Sequence, residues 1–356
     1  MEQELYKEDP AVGNGFREQQ KNQFDHLIVR LRQEADGKRQ SLFKLDTSSV
    51  AAYELETEPL REQLKRMVGW PLAMEHDSGL EINSPVVPDA KVSFVSEDQL
   101  GRIFRVEVEA GAGLTTYGLL FLPFGEGPHP LVIAQHGGGG TPELSSGLYG
   151  ETNYNDMTRR VLKQGAAVFA PQLFLWNQGT YGPEFNRVQY DNQLKQVGSS
   201  IAAVEIHKIQ RALDYLTARP DIDGSRVGMI GLSYGGFYTM FTSAVDTRIK
   251  AVYSSCFINN RFVVDWPDFT WFNAGSRFLD AEVCSLIAPR FLYLEVGRHD
   301  DLFLHKDAQP EIDKVAALYK LLNLEDRFAS KAFDGGHELD PDNEGIERFC
   351  RYLSMC

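Results

Sequence analysis

No stretch of the 356-residue chain approaches the run of about 18 apolar residues that a membrane-spanning helix needs, so no such span is expected. The N-terminus, Met1 to Glu8, is acidic and polar rather than a basic, then apolar, secretory signal, and the expected location is the cytoplasm. Cysteine is scarce. Cys256, Cys284, Cys350 and Cys356 have no metal-ligand spacing, so no metal site is expected, and in a reducing compartment they read as free thiols. Positive charge is also short: 36 Lys and Arg against 50 Asp and Glu leave a net −14, which argues against non-specific nucleic-acid binding. The glycine run His136 to Gly140 lacks the Lys-Ser or Lys-Thr of a phosphate-binding loop, because Thr141-Pro142 follows it. What is present is 43% hydrophobic residues, enough for an ordinary globular core, in a length that allows one large domain or two.

The periodicity changes at Lys91. Before it, Gln20 to Gln33 carries Phe24, Leu27, Ile28 and Leu31 at helical spacing, and Pro59 to Val68 repeats the pattern with Leu60, Leu64 and Met67 before Gly69. Residues 1–85 are therefore expected to be a helical extension packed on a main domain of residues 86–356. In that domain Lys91 to Val95, Gly101 to Val108 and Thr115 to Leu122 read as strands, the last two as a hairpin around Gly111-Ala112-Gly113. Short apolar strands then alternate with helices. The strands are Leu131 to Ala134, Ala166 to Ala170, the stretch from Val227, Ile249 to Tyr253, Arg290 to Val296 and Arg327 to Phe333. The helices are Asn155 to Gln164, Ser200 to Ala218, Tyr234 to Ala244, Ile312 to Leu322 and Gly345 to Leu353. This alternation predicts an α/β fold: a mainly parallel sheet with helices on both faces and antiparallel strands at one edge. Two long stretches, Pro171 to Gly198 and Phe257 to Cys284, read as irregular and rich in aromatic residues.

One strand leads into Gly231-Leu232-Ser233-Tyr234-Gly235, the G-x-S-x-G pattern. A serine at a sharp strand-to-helix turn needs glycine two residues before and two after, where side chains would clash. The turn presents the Ser233 hydroxyl at a helix N-terminus. The rival reading is a glycine-rich turn with a surface serine.

A serine hydroxyl is a weak nucleophile at neutral pH and needs a base, which in turn needs an acceptor. In parallel sheets such groups collect at the carboxyl ends of the strands. His337, in Asp334-Gly335-Gly336-His337-Glu338 after the last strand, is the best-placed base of eight histidines. Asp300, in Gly297-Arg298-His299-Asp300-Asp301, is the best-placed acid, with Asp301 the runner-up. Glu295 is expected inside the preceding strand, His299 at the surface or supporting the acid, and Asp265 and Asp268 are weaker alternatives. The glycines after His136 can offer backbone N–H groups to a developing oxyanion; Gly137 or Gly138 would act with the N–H of Tyr234. Trp176, Trp266 and Trp271 are candidates for a substrate pocket or for ordinary loop core.

The order Ser233, Asp300, His337, the elbow and the late Gly-Gly-His make residues 90 to 356 resemble the α/β-hydrolases. More narrowly, Gln193 to Gly236, with Ala212-Leu213-Asp214-Tyr215-Leu216 and Arg219-Pro220-Asp221-Ile222-Asp223, resembles the dienelactone-hydrolase-like group that includes acetyl xylan esterases. The Arg-Gly-Gln-Gly loop of cephalosporin-C deacetylases is replaced by Pro171-Gln172-Leu173-Phe174. The resemblance implies a cofactor-independent serine esterase acting on a small-molecule ester, an acetylated carbohydrate among the candidates. A prolyl-oligopeptidase-type peptidase shares the residue order, although no propeller repeat precedes the sheet. A non-catalytic scaffold with the same fold is the third reading.

Overall fold

The computed structural model describes residues 4–73 and 86–356. The expected boundary between extension and main domain, at 85/86, borders residues 74–85, which lie outside the described residues. Two helices come first, α1 (Pro10–Leu42) and α2 (Val50–Val68). Asp9 caps α1 by accepting from the Ala11 N–H at 2.9 Å, and Pro10 takes the first helical position, where a missing N–H costs nothing. The helix thus runs well beyond Gln20 to Gln33. Its stripe of Phe24, Leu27, Ile28 and Leu31 is exposed. Its contacts are made farther along, where Arg39 donates to the Gly275 carbonyl and pairs with Glu282 at 3.1 Å. Helix α2 starts at Val50, not Pro59, because Ser49 caps it through the Ala52 N–H at 3.1 Å. Proline usually opens a helix; here the helix passes through Pro59 and buries Tyr53, Leu60, Leu64 and Val68. Arg61 secures α2 by donating to the Ala244 carbonyl at 2.7 Å.

The rest builds a nine-stranded sheet from β1 (Ala90–Asp98), β2 (Gly101–Gly111), β3 (Leu114–Pro123), β4 (His129–Gln135), β5 (Ala167–Pro171), β6 (Ile222–Leu232), β7 (Ile249–Ser255), β8 (Phe291–Gly297) and β9 (Phe328–Phe333). Its order is β1-β2-β3-β5-β4-β6-β7-β8-β9. The pairs β1/β2, β2/β3 and β3/β5 are antiparallel, and every pair from β5/β4 to β8/β9 is parallel. This is the α/β architecture that the strand and helix alternation predicts. Val227 to Leu232 in β6 is buried throughout, as a central parallel strand covered on both faces must be.

Between the strands run α3 (Pro142–Ser145), α4 (Met157–Leu162), α5 (Arg187–Gln196), α6 (Ile201–Thr217), α7 (Tyr234–Val245), α8 (Asp280–Ser285), α9 (His305–Leu321) and α10 (Glu344–Met355). One core layer packs α2, α6, α7 and α9 against the sheet, and the other packs α4 and α10 on the opposite face. Ser200 joins two of these helices: its hydroxyl caps α6 through the Ala203 N–H at 3.1 Å and donates to the Val68 carbonyl of α2 at 2.7 Å. The stretch 171–198 is not wholly irregular, since α5 forms there with Asn186 as its cap. Its face is mostly polar, so it shows little of the apolar spacing by which helices are recognised. No helix among the described residues is long and apolar enough to cross a membrane.

Candidate active site

Strand β6 delivers Ser233 at φ 84° and ψ −116°, a left-handed conformation that a residue with a Cβ rarely adopts. The turn is possible because its flanks are bare. A Cβ on Gly231 would lie 2.4 Å from the Gly235 carbonyl carbon, and one on Gly235 would lie 2.1 Å from the Gln135 carbonyl oxygen. The Ser233 N–H is held by the Ser255 carbonyl of β7 at 3.0 Å.

The carboxyl ends of β8 and β9 bring the other two residues in. Ser233 Oγ lies 2.9 Å from His337 Nε2, and His337 Nδ1 lies 2.8 Å from Asp300 Oδ2. The other Asp300 oxygen accepts from the N–H groups of Leu302 (2.8 Å) and Phe303 (2.9 Å). Burial alone would raise the Asp300 carboxyl. The hydrogen bond from His337 and those from the backbone outweigh it and hold the group below the ordinary carboxylate range. Asp301 and Asp265 are exposed, and His299 is exposed and paired with Asp334 at 2.8 Å. The face of His337 is covered by the Phe303 ring, with centroids 5.6 Å apart.

The glycine loop after β4 lies against the elbow. The Gly137 N–H donates to the Tyr154 hydroxyl at 2.7 Å, so that donor is already engaged. Gly138 sits beside the Tyr234 ring, where a Cβ would meet it at 3.5 Å. The Tyr234 N–H opens α7 and belongs to the first turn, whose N–H groups have no acceptor within the helix. Buried His136 braces the loop. Its Nε2 accepts from the Leu173 N–H at 2.9 Å, which leaves the hydrogen on Nδ1, 2.9 Å from the Gly137 carbonyl. Burial lowers its pKa to about 4, so the ring is neutral and this tautomer persists at ordinary pH.

Comparison with known proteins points the same way. Residues 132–255, from β4 through the elbow to β7, match the model of the dienelactone hydrolase family. The strand order and the elbow are those of the α/β-hydrolase fold, which the solved structures below share. A Bacillus subtilis (strain 168) protein named as a hydrolase, YtaP, is 30% identical over 194 residues, 50% of this chain and 62% of that protein. The chain thus spans under two thirds of the length of this curated relative. Among solved structures, a Bacteroides fragilis protein described as an acetyl xylan esterase has a TM-score of 0.64 at 14% identity, covering 81% of this chain and 77% of that one. A glucuronoyl esterase from Solibacter usitatus has a TM-score of 0.62 at 14% identity, covering 86% and 94%.

Within this α/β-hydrolase fold the three tryptophans part company. Trp266 packs on Tyr234 (5.6 Å) and Phe303 (5.8 Å), beside the serine and histidine. Trp176 pairs through its backbone with Gly139 of the glycine loop, and its indole donates to the Pro183 carbonyl at 2.8 Å. Trp271 lies a layer behind, against Phe237 (6.1 Å) and Phe241 (5.4 Å) of α7.

A buried polar cluster beneath Tyr234 is not foreshadowed by any motif. Asp268 accepts from the Tyr234 hydroxyl at 3.0 Å and pairs with Arg187 at 2.6 Å. Arg187 also pairs with Glu205 at 2.9 Å and donates to the Tyr238 hydroxyl at 2.7 Å. The cluster ties the loops at 174–187 and 266–269 to the elbow helix. Its members are far apart in sequence, and the one available signal was the polar residues Glu205 and Lys208 on the buried helix α6. Cys256, Asp300 and His337 have ligand-type atoms within 4.8 Å of one another. Both His337 nitrogens already face Ser233 and Asp300, however, and the Cys256 thiol donates to the Glu338 carbonyl at 3.3 Å. Burial pushes that thiol far above its ordinary pKa, which makes it a poor metal ligand.

Proposed function

We propose that the chain is a serine carboxylic-ester hydrolase working through Ser233, His337 and Asp300. The reading rests on one observation above all, the unbroken hydrogen-bond series from Ser233 Oγ through His337 to Asp300. His337 Nε2 takes the hydroxyl proton as Ser233 Oγ attacks the ester carbonyl. Asp300 keeps the ring oriented and balances its charge. The oxyanion is met by the N–H groups of Tyr234 and Gly138; Gly137, engaged by Tyr154, shapes the loop. Collapse releases the alcohol with the proton from His337 and leaves an acyl-serine. Water, deprotonated by His337, then frees the acid and restores the hydroxyl. No cofactor is needed for these steps. Trp266 and, through Gly139, Trp176 are offered as walls of the substrate pocket. Acetylated carbohydrate is the substrate class to try first, since one structural neighbour is described as an acetyl xylan esterase.

The test is hydrolysis of a graded series of nitrophenyl acyl esters beside an acetylated sugar, with a prolyl nitroanilide as peptidase control and Ser233→Ala as background. Turnover and fluorophosphonate labelling in the parent, with neither in Ser233→Ala, are expected. Equal turnover by parent and variant overturns the assignment of Ser233. Cleavage of the anilide alone favours the peptidase, and a chain that neither labels nor turns over any substrate is a scaffold.

A further inference from the structure

The proposed reaction needs two loops in register. One is the glycine loop after β4; the other, after β9, carries His337. Strands β6, β7 and β8 lie between β4 and β9 in the sheet, so no strand pairing joins the two. The segment Asn153-Tyr154-Asn155, ahead of α4, touches both. Asn153 donates from Nδ2 to the His337 carbonyl at 3.0 Å, and its own carbonyl accepts from the Leu339 N–H at 2.9 Å. Asn155, at φ 46°, donates to Glu338 Oε2 at 3.0 Å and to the Leu339 carbonyl at 2.6 Å. Between them Tyr154 is buried, 4% exposed, and its hydroxyl accepts the Gly137 N–H at 2.7 Å.

That contact bears on the next peptide along. The Gly137 carbonyl faces His136 Nδ1 at 2.9 Å and accepts from the Gly140 N–H at 3.2 Å. The Gly137–Gly138 bond is trans, so the Gly138 N–H points the opposite way from that carbonyl. Tyr154 holds the N–H of Gly137 while His136 and Gly140 hold its carbonyl. Both sides of Gly137 are thereby fixed, and with them the aim of the Gly138 N–H. Burial raises the Tyr154 pKa to about 12, so the hydroxyl is neutral and puts no negative charge behind a developing oxyanion.

We propose that Tyr154 is a positioning residue for ester hydrolysis, holding the oxyanion donor of the glycine loop in register with the His337 loop, to which Asn153 and Asn155 fasten it. This inference rests on the serine-hydrolase reading above. Tyr154 touches no reacting atom; it acts through Gly137 on the geometry in which the oxyanion is received.

Hydrolysis of nitrophenyl acetate by the full chain tests it, with active sites counted by fluorophosphonate labelling carried to completion. Tyr154→Phe keeps the ring and removes the acceptor. Its kcat is expected to fall about 10–10²-fold, the scale of a donor misplaced rather than lost, with KM within about twofold of the parent's. Affinity for trifluoroacetophenone, whose ketone adds Ser233 Oγ to form a tetrahedral oxyanion, is expected to fall by the same factor. Asn155→Gly keeps the left-handed backbone, frees the segment from Glu338 and Leu339, and is expected to lower kcat as well. The double variant should lose less than the product of the two single losses. Where acetate is turned over slowly, the rate constant of fluorophosphonate labelling gives the same comparison. A Tyr154→Phe kcat within about twofold of the parent's, a loss confined to KM, an unchanged ketone affinity, or losses that multiply in the double variant overturns the proposal. Those results leave the parent's hydrolysis standing. A parent that neither labels nor turns over any ester overturns the proposed function and this inference together.

Discussion

Glu295 on β8 is a carboxyl group kept wholly out of water. The Tyr253 hydroxyl donates to its Oε2 at 2.5 Å and the Asp340 N–H to its Oε1 at 3.0 Å. Burial dominates and raises its pKa from 4.5 to about 7, against hydrogen bonds from Ser255, Tyr253 and Asp340 that pull it down. The folded pKa lies above the unfolded one, so it is the ionised form that the fold disfavours. Below about pH 4.5 both states hold the proton and the group is neutral in effect. As pH rises towards 7 the unfolded chain loses the proton first and stability falls; above 7 the loss is complete and level. At about 1.36 kcal/mol per pH unit, the gap between 4.5 and about 7 amounts to about 3 kcal/mol. Glu295→Gln removes the titration and keeps the shape and an acceptor for Asp340. Its stability relative to the parent should therefore rise by about 3 kcal/mol between pH 4.5 and pH 8. Urea unfolding at constant ionic strength across that range measures this. Stability curves of parent and variant that stay parallel would refute the reasoning.

Two further substitutions probe the site. Asp300→Asn should lower kcat by about 10³–10⁴-fold through loss of the correct histidine tautomer, while Asp301→Asn, at an exposed side chain, should leave it within about twofold; steady-state ester hydrolysis separates them, and equal losses would remove Asp300 from its role. Gly235→Ala puts a methyl group 2.1 Å from the Gln135 carbonyl and should cost about 3 kcal/mol or more in a denaturant melt; a cost under about 1 kcal/mol would mean that the elbow is looser than its backbone implies.

The elbow was legible because its constraints are local: Gly231 and Gly235 exist to spare close backbone contacts, and both lie within two residues of Ser233. The parallel strands were legible because double-sided burial leaves continuous apolar runs. Asp300 and Asp301 could not be told apart, since adjacent carboxylates differ only in which one the turn buries. The partners of Tyr234 were hidden for another reason. Arg187 is unremarkable in sequence, Asp268 reads there only as a weaker candidate acid and Glu205 only as a polar residue on an apolar helix; the three gain their joint meaning only where distant segments meet. The α1 stripe shows the reverse failure: Phe24, Leu27, Ile28 and Leu31 have the spacing of a buried face, but periodicity tells which residues share a side, not whether anything covers that side.

The series from serine to histidine to aspartate also has a timetable. Its two hydrogen bonds close loops of 104 and 37 residues, and they join the ends of β6, β8 and β9, the last of which lies at one edge of the sheet. A growing chain can complete the elbow long before His337 has been made. Contacts that distant form only after intervening segments have been ordered. On the proposed function, the return of ester hydrolysis during refolding would report the docking of the last strand, β9, and should lag the burial of the central strands.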